Sequence, residues 1–90
     1  MKERTVRVGS ASGLHARPAA IFSKAAGSKA IKVQIEKDGR SVDASSILML
    51  ISLGAKLGDE VTLRAEGEDA DAVLDELAEL LEKNLDEETA

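Results

Sequence analysis

The chain has 90 residues, 43% of them hydrophobic and 32% charged, which is typical of one small globular domain. The absence of cysteine excludes disulfides and cysteine-based zinc sites, and a single histidine excludes a histidine-rich metal site, so we expect neither a metal nor another cofactor. A formal net charge of −5 argues against nucleic-acid binding, and without a signal peptide or a long apolar segment we expect a cytoplasmic protein that does not insert into membranes.

The first half of the chain alternates between strand and helix patterns. Residues 4–8 and 31–37 alternate apolar with polar side chains and are predicted to form strands. Between them, residues 16–26 place apolar side chains at helical spacing, and Gly27 is predicted to end this helix in the left-handed conformation. The Asp-Gly pair at 38–39 predicts a tight hairpin turn after the second strand.

The second half continues the alternation and ends in a longer helix. A short third strand is predicted over 40–44, followed by a short helix that Ser46 caps and Gly54 ends. A fourth strand is predicted over 60–66, and an amphipathic helix over about 71–85.

The predicted order is therefore β-α-β-β-α-β-α, in a single domain over residues 1–90 whose tail, 86–90, is expected to be frayed. Four short strands, each with one apolar face, need a cover, and three amphipathic helices can supply it from one side. The pattern predicts an α+β open-faced β-sandwich, a four-stranded antiparallel sheet with three helices on one face.

Charged residues are unevenly distributed along the chain. No aspartate or glutamate lies between Arg4 and Ile35, whereas six lysines and arginines lie from Arg4 to Lys32. Sixteen of the 17 acidic residues lie from Glu36 onward. His15 therefore lies in a segment whose local potential is expected to be positive, although chance and a solvated acidic helix near the C-terminus give the same distribution.

Pro18 indicates where His15 lies relative to the first helix. Proline is favoured in the first helical turn, which puts His15 at or next to the N-cap and leaves the backbone N–H groups of Ala16 and Arg17 pointing outward. These N–H groups and the Arg17 guanidinium suit phosphate oxygens, and the same positive surroundings disfavour a proton on the imidazole ring. The residues thus favour a neutral, nucleophilic His15 that can hold a phosphoryl dianion; the alternative is a poorly capped surface helix without function.

The second helix carries five large apolar residues in succession over 47–51, more than one buried stripe can accommodate. Some of them are therefore expected to be exposed as an interface, unless the helix is covered on both flanks. Cationic residues of the first helix fall on one side and can frame an apolar centre. The predicted docking surface comprises Arg17, Ala20, Ile21, Lys24, Ile47, Leu48, Met49 and Ile51.

The string "GLHARPAA", residues 13–20, resembles the active-site motif of HPr, the histidine-containing phosphocarrier family of the bacterial phosphoenolpyruvate-dependent sugar phosphotransferase system. The resemblance extends along the chain and includes "SSILMLISLG", residues 45–54. It implies the same open-faced β-sandwich and a monomeric carrier rather than an enzyme. His15 would accept the phosphoryl group at Nδ1 from enzyme I and pass it to the EIIA domain of a sugar transporter, while Arg17 would steady the group and contact partners.

The resemblance also implies a regulatory role for Ser46. In many Gram-positive members a serine at this position is phosphorylated by HPr kinase/phosphorylase, and the phospho-form binds a catabolite-control transcription factor. Phosphate is tolerated at a helix N-terminus, and its charge would weaken docking to acidic partners. The alternative is an ordinary helix cap, and Ser45 is a neighbouring hydroxyl.

Two departures from the family pattern affect the docking surface. Some members have a lysine where this chain has Gly27, and enteric-type members have a basic residue at the position of Met49. The rim of the docking surface is therefore less cationic in this chain than in those members. This difference favours a docking mode like that of Gram-positive members. Two alternative functions remain open: a carrier in a nitrogen-related phosphorelay, and a regulatory binding module that acts through phospho-Ser46.

Overall fold

A computed structural model describes residues 1–83 of the chain. It contains four strands and three helices in the predicted order. The elements are β1 Lys2–Arg7, α1 Ala16–Gly27, β2 Val33–Lys37, β3 Arg40–Asp43, α2 Ile47–Ser52, β4 Glu60–Ala65 and α3 Ala70–Glu82. Within residues 1–83, no helix is long and apolar enough to cross a membrane.

The four strands form one sheet in the order β1-β4-β2-β3, and every neighbouring pair is antiparallel. Helix α3 packs on β1 and β4, α2 packs on β3, and α1 packs on both other helices. The predicted α+β open-faced sandwich is therefore confirmed. The arrangement brings the end of β1 and the loop after α2 to the same end of the sheet, where α1 begins.

The core lies between the sheet and the three helices. Each helix contributes at least one fully buried side chain, with Phe22, Leu50 and Leu74 all at 0% exposure. They pack in one cluster with inward-facing sheet residues that include Ile35 and Leu63. Burying these apolar side chains is the main favourable contribution to folding and fixes α1 and α2 relative to the sheet.

The opposite face of the sheet is polar. The hydroxyl groups of Thr5 and Thr62 are hydrogen-bonded at 3.0 Å across β1 and β4. Arg64 bridges Glu36 and Glu3, and hydrogen bonds to these two carboxylates raise the pKa of Arg64 above its ordinary value. Such cross-strand polar pairs let this face remain in water without a helical cover.

The prediction that Gly27 ends α1 in the left-handed conformation is wrong. Gly27 is the last helical residue, and Ser28 forms the C-cap with right-handed backbone angles, φ −80° and ψ −9°. The Ser28 hydroxyl donates to the carbonyl oxygen of Ala25 at 2.7 Å, and its N–H donates to the carbonyl oxygens of Lys24 and Ala25. A serine thus satisfies the terminal carbonyls that a left-handed glycine satisfies in other helices.

The other predicted turns are confirmed, and some element boundaries shift. Asp38 and Gly39 have φ of 52° and 82°, as the two-residue hairpin requires, and Gly54 has φ of 68° after α2. Strand β1 begins two residues earlier than predicted and β2 begins two residues later. Helix α3 begins one residue before the predicted start and is described to Glu82; the predicted end at Leu85 and the tail 86–90 lie outside the described residues.

Candidate functional site

His15 lies at the N-cap of α1, the position that Pro18 predicts. Its backbone is extended, with φ −95° and ψ −167°, and its carbonyl oxygen accepts the first intrahelical hydrogen bond from the N–H of Ala19 at 2.8 Å. The imidazole is exposed and does not cap the helix, because it accepts no hydrogen bond from the first turn. Its ring nitrogens are therefore available to a reacting partner.

The first turn of α1 leaves two backbone donors without an acceptor. Among residues 1–83, neither the N–H of Ala16 nor the N–H of Arg17 donates a hydrogen bond, and Pro18 has no N–H to donate. No acidic side chain lies in this turn. Unpaired N–H groups at the positive end of a helix dipole attract an anion, and here they lie directly after His15 in the chain.

The loop that carries His15 is held by a close approach to the segment after α2. Gly13 has φ of 74°, and a Cβ at this position would lie 2.3 Å from the carbonyl oxygen of Ala55. The next N–H, that of Leu14, donates to the same Ala55 oxygen at 2.9 Å, and the Leu14 side chain is 2% exposed. Glycine is required here because both the backbone conformation and the contact exclude a side chain. The position of His15 is thus fixed by a buried neighbour.

A shallow cavity of about 230 Å³ opens beside the imidazole. It is formed by the His15 loop on one side and the end of α2 with the following loop on the other. The lining residues are Ser12, Leu14, His15, Ile51, Gly54, Ala55 and Lys56.

Two exposed cations of α1 are not neutralised by carboxylates of residues 1–83. Arg17 and Lys24 are exposed, and neither forms an ion pair with any residue in the described part of the chain. Arg4, by contrast, is paired with carboxylates: it donates to Asp75 at 2.8 Å and to Asp71 at 3.2 Å. The positive charge of the site therefore remains available to a ligand or partner.

The predicted docking residues lie on the neighbouring helices α1 and α2, and their exposure differs. Leu48 is 76% exposed, Ile47 38% and Met49 36%, whereas Leu50, the next residue of the helix, is fully buried. The remaining predicted residues are exposed on α1 at Arg17, Ala20 and Lys24 and half-buried at Ile21 and Ile51. Three large apolar side chains exposed on one short helix are unusual for a polar surface.

Comparison with known proteins agrees with this geometry. Residues 2–83 match the family model described as the PTS HPr component phosphorylation site. The chain belongs to the HPr family. It is 48% identical over 88 residues to phosphocarrier protein HPr of Streptomyces coelicolor, covering 97% of this chain and 95% of that protein.

Two further HPr-family relatives support the assignment. The chain is 42% identical over 85 residues to the HPr-like protein Crh of Bacillus subtilis, covering 94% of this chain and all of that protein. The crystal structure of HPr-C-His from Thermoanaerobacter tengcongensis superposes with a TM-score of 0.88 at 40% identity, covering 99% of this chain and all of that one. Both sequence and fold therefore agree over nearly the full length.

Two serines precede α2, and the structure distinguishes them. Ser46 is the N-cap, half-buried, and its hydroxyl oxygen accepts a hydrogen bond from the N–H of Met49 at 3.3 Å. Ser45 is exposed, and its hydroxyl and N–H donate to the Asp43 carboxylate at 2.7 and 2.9 Å. These two bonds, the hydroxyl contributing most, hold the pKa of Asp43 below its ordinary value.

Sequence reasoning missed Lys56 as a residue of this site. It lines the cavity beside His15 although 40 positions separate the two residues in the chain. No local motif marks it, since "GAKLGD" reads only as a turn. The juxtaposition depends on the contact between Gly13 and the Ala55 carbonyl, which only the folded chain brings together.

Proposed function

We propose that this HPr-family protein carries a phosphoryl group on His15, receives it from phosphorylated enzyme I and delivers it to the EIIA domain of a sugar transporter. The observation that carries this proposal is an exposed imidazole at the N-cap of α1, directly before two backbone N–H groups that have no acceptor among residues 1–83. A carrier needs a nucleophilic nitrogen that partners can reach and a site that holds the resulting dianion. The residues at the start of α1 supply both.

In the proposed step, the Nδ1 lone pair of neutral His15 attacks the phosphorus of the phosphohistidine of enzyme I. The new N–P bond forms as the donor's N–P bond breaks, and the electron pair of the broken bond stays on the donor nitrogen. The His15 ring loses its Nε2 proton and the donor ring takes up one proton, so that charge balances. The N–H groups of Ala16 and Arg17 and the Arg17 guanidinium donate to the phosphoryl oxygens.

The exposed apolar side chains of α2 and the cations of α1 are the proposed docking surface for both partners. Leu48 and Met49 provide an apolar centre, and Arg17 and Lys24 provide a cationic rim. Partners with acidic residues facing this rim would associate faster, and the association would weaken with salt. We propose that the carrier is a monomer in the cytoplasm, where it meets its two partners in turn.

Ser46 carries a second proposal, regulation by phosphorylation. Its hydroxyl at the N-cap of α2 accepts from the N–H of Met49, a residue of the proposed docking surface. A phosphate there would add about two negative charges next to a surface that binds acidic partners, and so would slow the relay. The proposal includes phosphorylation of Ser46 by HPr kinase/phosphorylase and binding of the phospho-form to a catabolite-control transcription factor.

The relay is tested by incubating the purified chain with phosphoenolpyruvate and enzyme I. We expect one acid-labile phosphate per wild-type chain and none in His15→Ala. Ser46→Ala is the matched control, because it removes the other proposed phosphorylation site, and it should gain as much acid-labile phosphate as wild type. Addition of an EIIA domain should then remove the phosphate. If wild type gains no acid-labile phosphate, or His15→Ala gains as much, the relay is contradicted; a faster reaction with enzyme I of the nitrogen-related system would favour that branch.

A further inference from the structure

We propose that Lys56 is a second cation of the phosphoryl site, reaching the phosphoryl oxygens on His15 from the loop after α2 while Arg17 reaches them from α1. The inference deepens the proposed relay and depends on it. It assigns a phosphate-binding role to a residue outside the "GLHARPAA" segment.

The first support is the position of Lys56 beside the His15 loop. A Cβ placed on Gly13 would lie 2.8 Å from the Lys56 Cα, so the backbone of Lys56 is in direct contact with the loop two residues before His15. The adjoining residue is fixed as well, because the Ala55 carbonyl accepts from the N–H of Leu14 at 2.9 Å. Lys56 and His15 then line the same cavity of about 230 Å³.

The second support is that the Lys56 ammonium is free to bind an anion. Lys56 is exposed, and within residues 1–83 its ammonium forms no ion pair or hydrogen bond. The nearest carboxylate in sequence, Asp59, accepts from the backbone N–H of Lys56 at 2.9 Å and lies 3.8 Å from the ammonium nitrogen of Lys37. Asp59 thus orients the Lys56 backbone and pairs with another lysine.

The third support is the geometry of the cavity. Arg17 does not line it, so the cavity side of a phosphoryl group on His15 would face no guanidinium. A dianion with one cation on one side is stabilised further by a second cation on the other. Lysine suits this task because its flexible stem can carry a point charge toward the phosphoryl group after transfer.

The test is the equilibrium constant for phosphoryl transfer from phosphorylated enzyme I to the free chain. This quantity depends only on the stabilities of the free phosphorylated and unphosphorylated proteins, so a change in docking affinity does not alter it. We expect Lys56→Gln to lower the equilibrium constant about fivefold, the effect of one cation about 4 Å from an anion in water. Lys56→Arg, which keeps the charge, should restore most of the wild-type value.

The matched control is Lys32→Gln, which removes the same charge from an exposed lysine. Lys32 lies at the opposite end of the sheet, since the next residue, Val33, pairs with Ala65, whereas the His15 end is marked by the pairing of Arg7 with Glu60. We expect the equilibrium constant for phosphoryl transfer to Lys32→Gln to stay within twofold of the wild-type value. Thermal unfolding of each variant confirms that it is folded.

The outcomes separate the two proposals. If wild type is not phosphorylated at all, the relay itself is contradicted. Suppose instead that wild type is phosphorylated, but that Lys56→Gln keeps the wild-type equilibrium constant or lowers it no more than Lys32→Gln does. The role of Lys56 is then overturned and the relay stands. A change in transfer rate without a change in the equilibrium constant also overturns it, because that result assigns Lys56 to docking.

Discussion

The N–H of Leu14 donates to the carbonyl oxygen of Ala55 at 2.9 Å, joining the loop before α1 to the loop after α2. His15, the proposed phosphoryl acceptor, follows Leu14 directly, so the backbone next to it is held by a hydrogen bond to a segment about 40 residues away in the chain. Leu14 is buried, which protects this bond from water. The backbone that carries exposed His15 is thus anchored through its buried neighbour, and we expect changes at this junction to affect transfer.

Gly13→Ala tests this junction. The substitution forces an L side chain into φ of 74° and into the Ala55 carbonyl, so we expect the free energy of unfolding to fall by about 3 kcal/mol and phosphoryl acceptance to slow. Gly39→Ala is the control, because it has φ of 82° with open space around it. It should cost about 1 kcal/mol in chemical denaturation and leave transfer unchanged. Equal destabilisation by both variants would show that the contact with Ala55 is unimportant.

Arg17→Ala is expected to slow phosphoryl transfer about 10- to 100-fold, because it removes a charged donor to the phosphoryl oxygens. Arg17 is exposed and unpaired within residues 1–83, so the free energy of unfolding should change by no more than about 0.5 kcal/mol. Rapid-quench kinetics and thermal unfolding measure the two effects. Arg7→Ala is the control, because Arg7 is an exposed arginine on the polar face of the sheet. A large loss of stability in Arg17→Ala with a normal transfer rate would refute the role of Arg17.

Leu48→Ala is expected to weaken docking without affecting the fold. Leu48 is 76% exposed on α2, so its truncation removes little area that is buried in the folded chain. Truncating a side chain that anchors an interface costs about 1 to 2 kcal/mol of binding free energy, which corresponds to a loss of about 5- to 30-fold in kcat/KM with enzyme I. Leu57→Ala provides a matched control, because Leu57 is also exposed, at 59%, and lies outside the proposed surface. Equal kcat/KM values for the two variants would exclude the α2 surface from docking.

Asp43→Asn tests the pH dependence of the turn before α2. Hydrogen bonds from the Ser45 hydroxyl and N–H lower the pKa of Asp43, so the folded state favours the charged carboxylate. This stabilisation is complete above the ordinary carboxyl pKa and is lost as the pH falls through the lowered pKa of the folded state. Asp43→Asn should therefore unfold about 1 kcal/mol more easily at pH 7, and urea titrations should show this difference shrinking below about pH 4.

The control for this pH dependence is Asp69→Asn. Asp69 is exposed, and its side chain makes no capping hydrogen bond to α3. We expect a smaller change in unfolding free energy at pH 7 than for Asp43→Asn. A stability difference for Asp43→Asn that stays constant from pH 7 to pH 3 would contradict the role of the charged carboxylate.

Local patterns predicted the fold because each rule acts over a few residues. The Asp38-Gly39 turn, the Ser46 cap and the alternation in β4 all follow from conformational preferences of neighbouring residues, and the structure has them as predicted. Gly27 was assigned wrongly because glycine is only one of several ways to end a helix. Ser28 uses its hydroxyl instead and needs no left-handed residue.

The candidate site was only partly predictable for a related reason. Pro18 indicates locally that His15 lies at the N-cap, and the structure places it there. The contact of Gly13 with the Ala55 carbonyl and the position of Lys56 at the cavity that His15 also lines depend on how α1 and α2 pack over the sheet. No periodicity or spacing in the sequence specifies such a long-range approach.

The most direct test of the central claim is the amide NMR spectrum of the chain before and after phosphorylation by enzyme I. We expect the N–H resonances of Ala16 and Arg17 to shift strongly on phosphorylation of His15, because both donate to the phosphoryl oxygens, while that of Met49 at the start of α2 changes little. Phosphorylation of another residue, or phospho-His15 with unchanged Ala16 and Arg17 amide resonances, would contradict an anion site at the start of α1.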